Sequence, residues 1–198
     1  MNVTRTELRD LLVAWVALGV AFAFLQLRLD PTELVTVFTV PGFYRLLAVT
    51  MLTAGVGFLL HELAHKVVAV HYGQYAEFRA DYGMLLLAVA SGLAGFLFAA
   101  PGAVHHRGRL TDRQGGLIAL AGPVTNLVLA GGFYALSLAG GVVAAVAGYG
   151  VTINLLLAGF NMLPYGPLDG RKVRAWSTAV WAATAVPCVG LAVYVLFF

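Results

Sequence analysis

The chain has 198 residues, of which 61% are hydrophobic and 11% are charged, and its formal net charge at pH 7 is +3. Its apolar residues fall in long blocks, which excludes an ordinary soluble domain, whose helices would show apolar stripes. The surplus of basic residues is typical of the cytoplasmic loops of a membrane protein, so we expect no nucleic-acid partner. The single cysteine, Cys188, cannot form an intrachain disulfide. We therefore predict an integral membrane protein without redox chemistry.

Six apolar runs approach the roughly 20 residues that a helix needs to cross a bilayer core about 30 Å thick. They lie at 11–29, 46–70, 84–100, 115–140, 142–163 and 175–198. Arg5 and Arg9 before the first run resemble the start of a secretory signal, but the run continues past the weak cleavage pattern at 21–23, which favours a retained helix. Short connections favour one compact bundle. We predict an all-α integral membrane protein, a polytopic transmembrane helix bundle, in one domain over residues 1–198.

The second run carries ionisable residues in the stretch GFLLHELAHKVVAV, residues 57–70. On a helix, His61 and His65 share one face, where two imidazoles can bind one metal ion. In metalloproteases with this HExxH pattern the glutamate, here Glu62, takes a proton from the water that attacks the peptide carbonyl. Alternatively, these side chains are buried residues satisfied by neighbouring helices. An acidic side chain at mid-membrane costs about 2.5–3.5 kcal/mol on insertion scales, which favours a metal site.

A catalytic zinc ion needs a third protein ligand at the same depth. The segment NMLPYGPLDGRK, residues 161–172, offers Asp169 just beyond the fifth run, among prolines and glycines that interrupt a helix. Irregular backbone at membrane depth is tolerated where it lines a watery cavity. Alone, Asp169 would be read as an ordinary loop residue, but together with HExxH it is the best candidate ligand. The predicted cofactor is one zinc ion per chain.

Three ordered motifs, HELAH (61–65), AGPVTN (121–126) and NMLPYGPLDG (161–170), resemble those of the site-2 protease family of intramembrane zinc metalloproteases. The resemblance covers a core of residues 46–174. Arg171 stands where the family often has a second glycine after LDG. Many members also carry a PDZ or CBS domain, and we expect neither in residues 1–198.

The resemblance implies that His61, His65 and Asp169 hold zinc and that Glu62 is the general base. It also implies that Asn161 lies close enough to bind substrate or to stabilise the oxyanion. The resemblance also implies that Asn126 faces the cavity, although an interhelical hydrogen bond would suit this amide equally well.

The proposed ligands constrain the topology, because His65 and Asp169 share a depth only if one of the two runs between their helices does not cross. The run 84–100 is the shorter, and we predict that it is re-entrant, as a β-hairpin around Ser91–Gly92 or as a pair of short helices. With the N-terminus inside, only Arg28 and Arg45 then lie outside, whereas six crossings would divide the basic residues eight to four. The ten cytoplasmic residues are Arg5, Arg9, Lys66, Arg79, Arg107, Arg109, Arg113, Arg171, Lys172 and Arg174. The zinc site is therefore predicted to lie toward the cytoplasm.

These features predict a zinc-dependent intramembrane endopeptidase of the cell membrane, which cleaves in or near the transmembrane segment of a single-span substrate. A re-entrant strand could hold the unwound substrate by edge pairing. The alternative is a zinc-binding membrane protein without proteolysis, such as a metal transporter or an inactive regulatory relative. The apolar runs contain almost no further ionisable residues that could mark a transport path, which favours the enzyme.

Overall fold

The computed structural model describes residues 3–27, 33, 35–98 and 101–197, and its regular structure is largely helical. In chain order the elements are α1 (Arg5–Leu27), a 3₁₀ turn (Val37–Thr39), α2 (Pro41–Thr50), a π-helical turn (Met51–Gly55), α3 (Val56–His71), β1 (Tyr75–Ala80), α4 (Tyr82–Leu93), β2 (Gly102–Arg107), α5 (Asp112–Ser137), α6 (Gly141–Asn161), α7 (Asp169–Trp176) and α8 (Thr178–Phe197). Within the described part of the chain, five helical segments are long and apolar enough to cross a membrane: α1, the segment Pro41–His71, α5, α6 and α8. The predicted polytopic helical membrane protein is confirmed.

The described residues form two compact units. One contains Gly57–Glu77 and the chain from Val104 onward, and the other contains the chain up to Val56 together with Phe78–Ala103. The single domain predicted over residues 1–198 stays a prediction.

In the unit that contains α1, this helix packs against α2, the π-helical turn and α4. A Cβ atom at Gly92 would lie 2.3 Å from the Ala21 carbonyl oxygen, so glycine is needed where α4 approaches α1. The Trp15 indole N–H donates to the Met51 carbonyl oxygen at 2.9 Å and so joins α1 to the π-helical turn.

The segment between α3 and α5 returns to the point where it started. Strands β1 and β2 pair in a two-stranded sheet, and the Asp81 N–H donates to the Pro101 carbonyl at 3.1 Å. Helix α4 between them has 12 residues, too few to cross a bilayer core. The predicted re-entrant segment is confirmed.

The internal structure of this segment differs from both forms that the sequence suggested. The run 84–100 contains most of helix α4, and both strands lie outside this run. The Asp81 side chain caps the start of α4, because it accepts from the Met84 N–H at 3.0 Å. After the helix ends, Ser91 Oγ accepts from the Phe98 N–H at 3.0 Å and turns the chain back. Residues 99 and 100 lie outside the described residues.

The unit that contains α5 is built around this helix. Helix α5 packs on α6 and α7, and α8 packs on α6 and α7. A buried apolar cluster joins these helices, and its members include Ala119, Ala158, Met162, Val173 and Cys188. This packing brings the start of α7 back toward α5.

The paired strands give a direct test of the re-entrant topology. In a Cys188→Ala background, single cysteines at Tyr75 and at His105 should react with an impermeant thiol reagent from the same side of oriented vesicles, because β1 and β2 are neighbours. A cysteine at Ala139, in the connection from α5 to α6, should react from the opposite side, because α5 crosses once. Labelling of Tyr75→Cys and His105→Cys from opposite sides would mean that the segment crosses the membrane.

Candidate metal centre

The two histidines of the HExxH motif lie one turn apart on α3. Both are buried, with exposed fractions of 4% for His61 and 7% for His65. Their ring centroids are 4.6 Å apart, and the rings are nearly perpendicular. The helix therefore presents two imidazoles side by side, as the sequence spacing predicts.

Asp169 is the first residue of α7 and completes the cluster. Its Oδ2 atom lies 3.2 Å from Nε2 of His61 and 3.1 Å from Nε2 of His65. One ligand atom from each of the three residues lies within 4.8 Å of the others, so the group could hold a metal ion.

The position of Asp169 depends on a close turn after α6. A Cβ atom at Gly170 would lie 2.2 Å from the Met162 carbonyl oxygen, so no residue with a side chain fits there without a shift of backbone. The Trp181 indole N–H donates to the same carbonyl at 2.9 Å. These contacts fold the chain back against the end of α6 and place Asp169 at the histidines.

Helix α5 holds the other side of each imidazole. Nδ1 of His61 lies 2.6 Å from Oδ1 of Asn126, and Nδ1 of His65 lies 2.7 Å from the Ile118 carbonyl oxygen. Since a carbonyl oxygen only accepts, each Nδ1 carries the proton and donates it. Both Nε2 atoms are then unprotonated and face Asp169, which is the arrangement that metal-binding histidines require.

Two residues of α5 make this approach feasible. A Cβ atom at Gly122 would lie 2.4 Å from Nε2 of His61 and 2.5 Å from Nε2 of His65, so the absence of a side chain leaves space in front of the ligand atoms. Pro123 has no N–H to donate to the Ala119 carbonyl one turn back, so one bond of the helix is missing beside Ile118. Two imidazoles, one carboxylate and this free space fit zinc with an open coordination position.

Glu62 lies beside the ligands without belonging to the ligand group. It is buried, with an exposed fraction of 8%. This placement is consistent with the base predicted from the sequence, whose catalytic role stays a prediction.

The two asparagines predicted near the substrate have different surroundings. Asn161 is half-buried at the end of α6, where its Nδ2 donates to the Leu157 carbonyl at 2.9 Å, and its substrate role stays a prediction. Asn126 is fully buried and makes the interhelical hydrogen bonds that the sequence left open: its Nδ2 donates to the Gly57 carbonyl at 3.2 Å and to Oδ1 of Asn154 at 2.9 Å. A donor bond from Asn126 to substrate would require one of these to break. Sequence reasoning did not identify Asn154.

Comparison with known proteins gives three relatives. A protein of Methanocaldococcus jannaschii named "Putative zinc metalloprotease MJ0611" is 39% identical over 180 residues, which cover 88% of this chain and 94% of that protein. Rip3 of Mycobacterium tuberculosis, which has the same designation, is 41% identical over 125 residues, covering 60% of this chain and 28% of Rip3. YwhC of Bacillus subtilis, also so designated, is 34% identical over 148 residues, covering 62% and 66% respectively. No protein-family model and no solved structure matches the chain.

The space in front of Gly122 can be tested by filling it. Gly122→Ala puts a methyl group where the metal should lie, so we expect zinc affinity to fall by at least the ~10–100-fold typical of damage around a metal ligand. The measurement is zinc bound per purified chain in the presence of a competing chelator. Gly132→Ala on the same helix is the control, because a Cβ atom there meets nothing within 4 Å. Equal zinc affinity in both variants would place the metal elsewhere.

Proposed function

Because this chain belongs to the site-2 protease family of intramembrane zinc metalloproteases, we propose that it hydrolyses a peptide bond in or near the transmembrane segment of a single-span membrane protein. The proposal is carried by the convergence of His61, His65 and Asp169 within a protein that has five candidate membrane-crossing helices in its described residues. A hydrolytic metal centre among such helices suits a substrate that is itself embedded in the bilayer.

The chemistry is divided among four side chains. His61, His65 and Asp169 hold zinc, which when bound supplies the Lewis acidity that activates water at neutral pH. Glu62 accepts the proton of the attacking water and passes it to the leaving amine, so one carboxylate serves both proton transfers. The burial of Glu62 beside the ligands supports this role, because a base must lie within reach of the water it deprotonates.

The N-terminus and the metal centre are proposed to lie toward the cytoplasm, so that cleavage releases a cytoplasmic fragment. The support is the distribution of Lys and Arg residues, because ten of the twelve lie on that side in the predicted topology. Arg28, one of the two on the other side, lies outside the described residues. Reaction of Tyr75→Cys from outside intact cells would reverse this orientation.

The two-stranded sheet has one edge that is already occupied. Glu7 and Asp10 lie on one face of α1, with exposed fractions of 1% and 3%. The Glu7 carboxylate accepts from the Phe78 N–H at 3.1 Å, and the Asp10 carboxylate accepts from the Ala80 N–H at 3.3 Å. Alternate N–H groups of a strand point to the same edge, so these two carboxylates close the edge of β1 that faces away from β2.

The other edge of the sheet belongs to β2, which is mostly exposed. Among the described residues no third strand pairs with it. Val104 of β2 packs on a cluster that contains Ile118, whose carbonyl group holds His65. We therefore assign β2 as the strand that receives the unwound segment of the substrate, since edge pairing satisfies backbone groups that leave a helix.

One pair of variants separates the base from the ligand. Glu62→Gln removes the proton acceptor and keeps the size of the side chain, so cleavage of a single-span substrate should fall by roughly 10²–10⁴-fold while zinc stays bound. Asp169→Ala should lose both zinc and cleavage, because a ligand is removed. Metal analysis and a cleavage assay on the same preparations decide. Cleavage by Glu62→Gln at the wild-type rate would remove Glu62 from the mechanism, and full zinc content in Asp169→Ala would point to another third ligand.

The strand assignment predicts a crosslinking pattern. In the Glu62→Gln, Cys188→Ala background, His105→Cys on β2 should form disulfides with every second position of a cysteine-scanned substrate segment, because side chains on a strand alternate. Tyr75→Cys on β1 is the matched control and should give few crosslinks. Equal crosslinking from both strands, or a repeat of three to four positions, would contradict pairing on β2.

A further inference from the structure

A row of hydrogen bonds leads from His61 through two buried amides to helix α6. We propose that Asn154 is a positioning residue for the metal centre, which fixes the orientation of Asn126 and, through it, the tautomer and direction of the His61 ring. This inference rests on the proposed function, because it takes His61 as a ligand of the catalytic metal.

Asn154 lies in an otherwise apolar helix that can cross the membrane, and its side chain is fully buried. A buried amide without hydrogen-bond partners is costly in an apolar medium, which offers none in place of water. Its partners are therefore informative. Asn154 Nδ2 donates to the Gly150 carbonyl at 2.9 Å, and its Oδ1 accepts from Asn126 Nδ2 at 2.9 Å.

Two backbone carbonyls fix the direction of the whole row. The Gly150 and Gly57 oxygens can only accept, so the atoms that face them must be the amide nitrogens of Asn154 and Asn126. Turning either amide around would place two oxygens against each other. Oδ1 of Asn126 is consequently the atom that faces His61, and it can only accept the Nδ1 proton.

The backbone is shaped to admit this contact. A Cβ atom at Gly57 would lie 2.6 Å from Oδ1 of Asn154, so glycine is needed where α3 passes the amide. Each hydrogen bond in the row also polarises the next, which strengthens the acceptor that His61 meets. His65 differs, because its Nδ1 is held by the backbone carbonyl of Ile118. The His61 side of the centre is therefore the side that a side-chain substitution can disturb.

The test compares two substitutions of Asn154 with one control on the same helix, each made in the whole chain. Asn154→Leu has a similar shape but no acceptor, so zinc affinity, measured against a competing chelator, should fall by ~10–100-fold. The visible absorption spectrum of the Co²⁺-loaded protein should change as well, because the His61 ring is free to turn. Asn154→Asp should recover most of the affinity, because burial in an apolar helix keeps the carboxyl group neutral, so that it still donates to Gly150 and still accepts from Asn126. Thr152→Val changes a polar residue of the same helix that makes no hydrogen bond to Asn126, and it should leave zinc affinity unchanged.

A purely structural role gives a different result. Leucine packs well in an apolar bundle, so on that view Asn154→Leu would bind zinc with wild-type affinity and show an unaltered Co²⁺ spectrum, and this outcome would overturn the proposal. If Asn154→Leu does not fold, Asn154→Ala removes the same acceptor without bulk and is judged by the same two measurements. Neither readout needs proteolysis, so a failure of the proposed protease activity would not be mistaken for a failure of this inference.

Discussion

The approach of Nε2 of His61 and His65 to Oδ2 of Asp169, at 3.2 and 3.1 Å, constrains the packing of every helix around it. Two of these residues lie on one helix, but the third arrives only after the chain has passed through α5 and α6. Side chains of this kind are costly to bury, and metal binding offsets the cost only when all the ligands converge. The tight turn at Gly170 and the backbone approach at Gly122 serve that convergence. Glycine is needed at both places because the required distances are shorter than a Cβ atom allows.

The apolar surroundings explain why each histidine of the metal centre has a defined hydrogen-bond partner. In water a misoriented imidazole can find a solvent partner, but in a bilayer a lost bond is not replaced. Each histidine is held at Nδ1 by an oxygen from α5, which commits the ring before any metal arrives. Preorganisation of this kind lowers the reorganisation that binding and catalysis require. Helix α5 therefore fixes the orientation of the ligands on α3 and is more than a membrane anchor.

Much of this site could be predicted from local patterns, because its reactive side chains occur in short sequence motifs. The spacing of His61 and His65 determines that they share a face once the segment is helical, and helix breakers around Asp169 mark an irregular segment. Asn154 has no such signal, because it is one polar residue in an apolar run. Its hydrogen-bond partner, Asn126, lies 28 residues away in the sequence. The same limit applies to Glu7, because the strand residue that donates to it lies 71 positions later in the chain.

The re-entrant segment shows what can be predicted by counting the membrane crossings between the ligands. Requiring His65 and Asp169 to share a depth predicts that one apolar run does not cross, but it says nothing about the structure inside that run. There, local capping by Asp81 favours a helix, and the strands form in the more polar flanks.

The positions of those strands have a physical consequence. Backbone groups that are shielded from water must find partners within the protein, and at β1 the carboxylates of Glu7 and Asp10 meet this requirement from the side of α1. For β2 no described strand or helix carboxylate takes that place, so its outer edge requires either water or another strand. A substrate helix that unwinds has the same need, because its carbonyl and N–H groups lose their internal partners. Under the proposed function, pairing the two would satisfy both deficits at once and would lower the cost of unwinding the scissile segment at this edge.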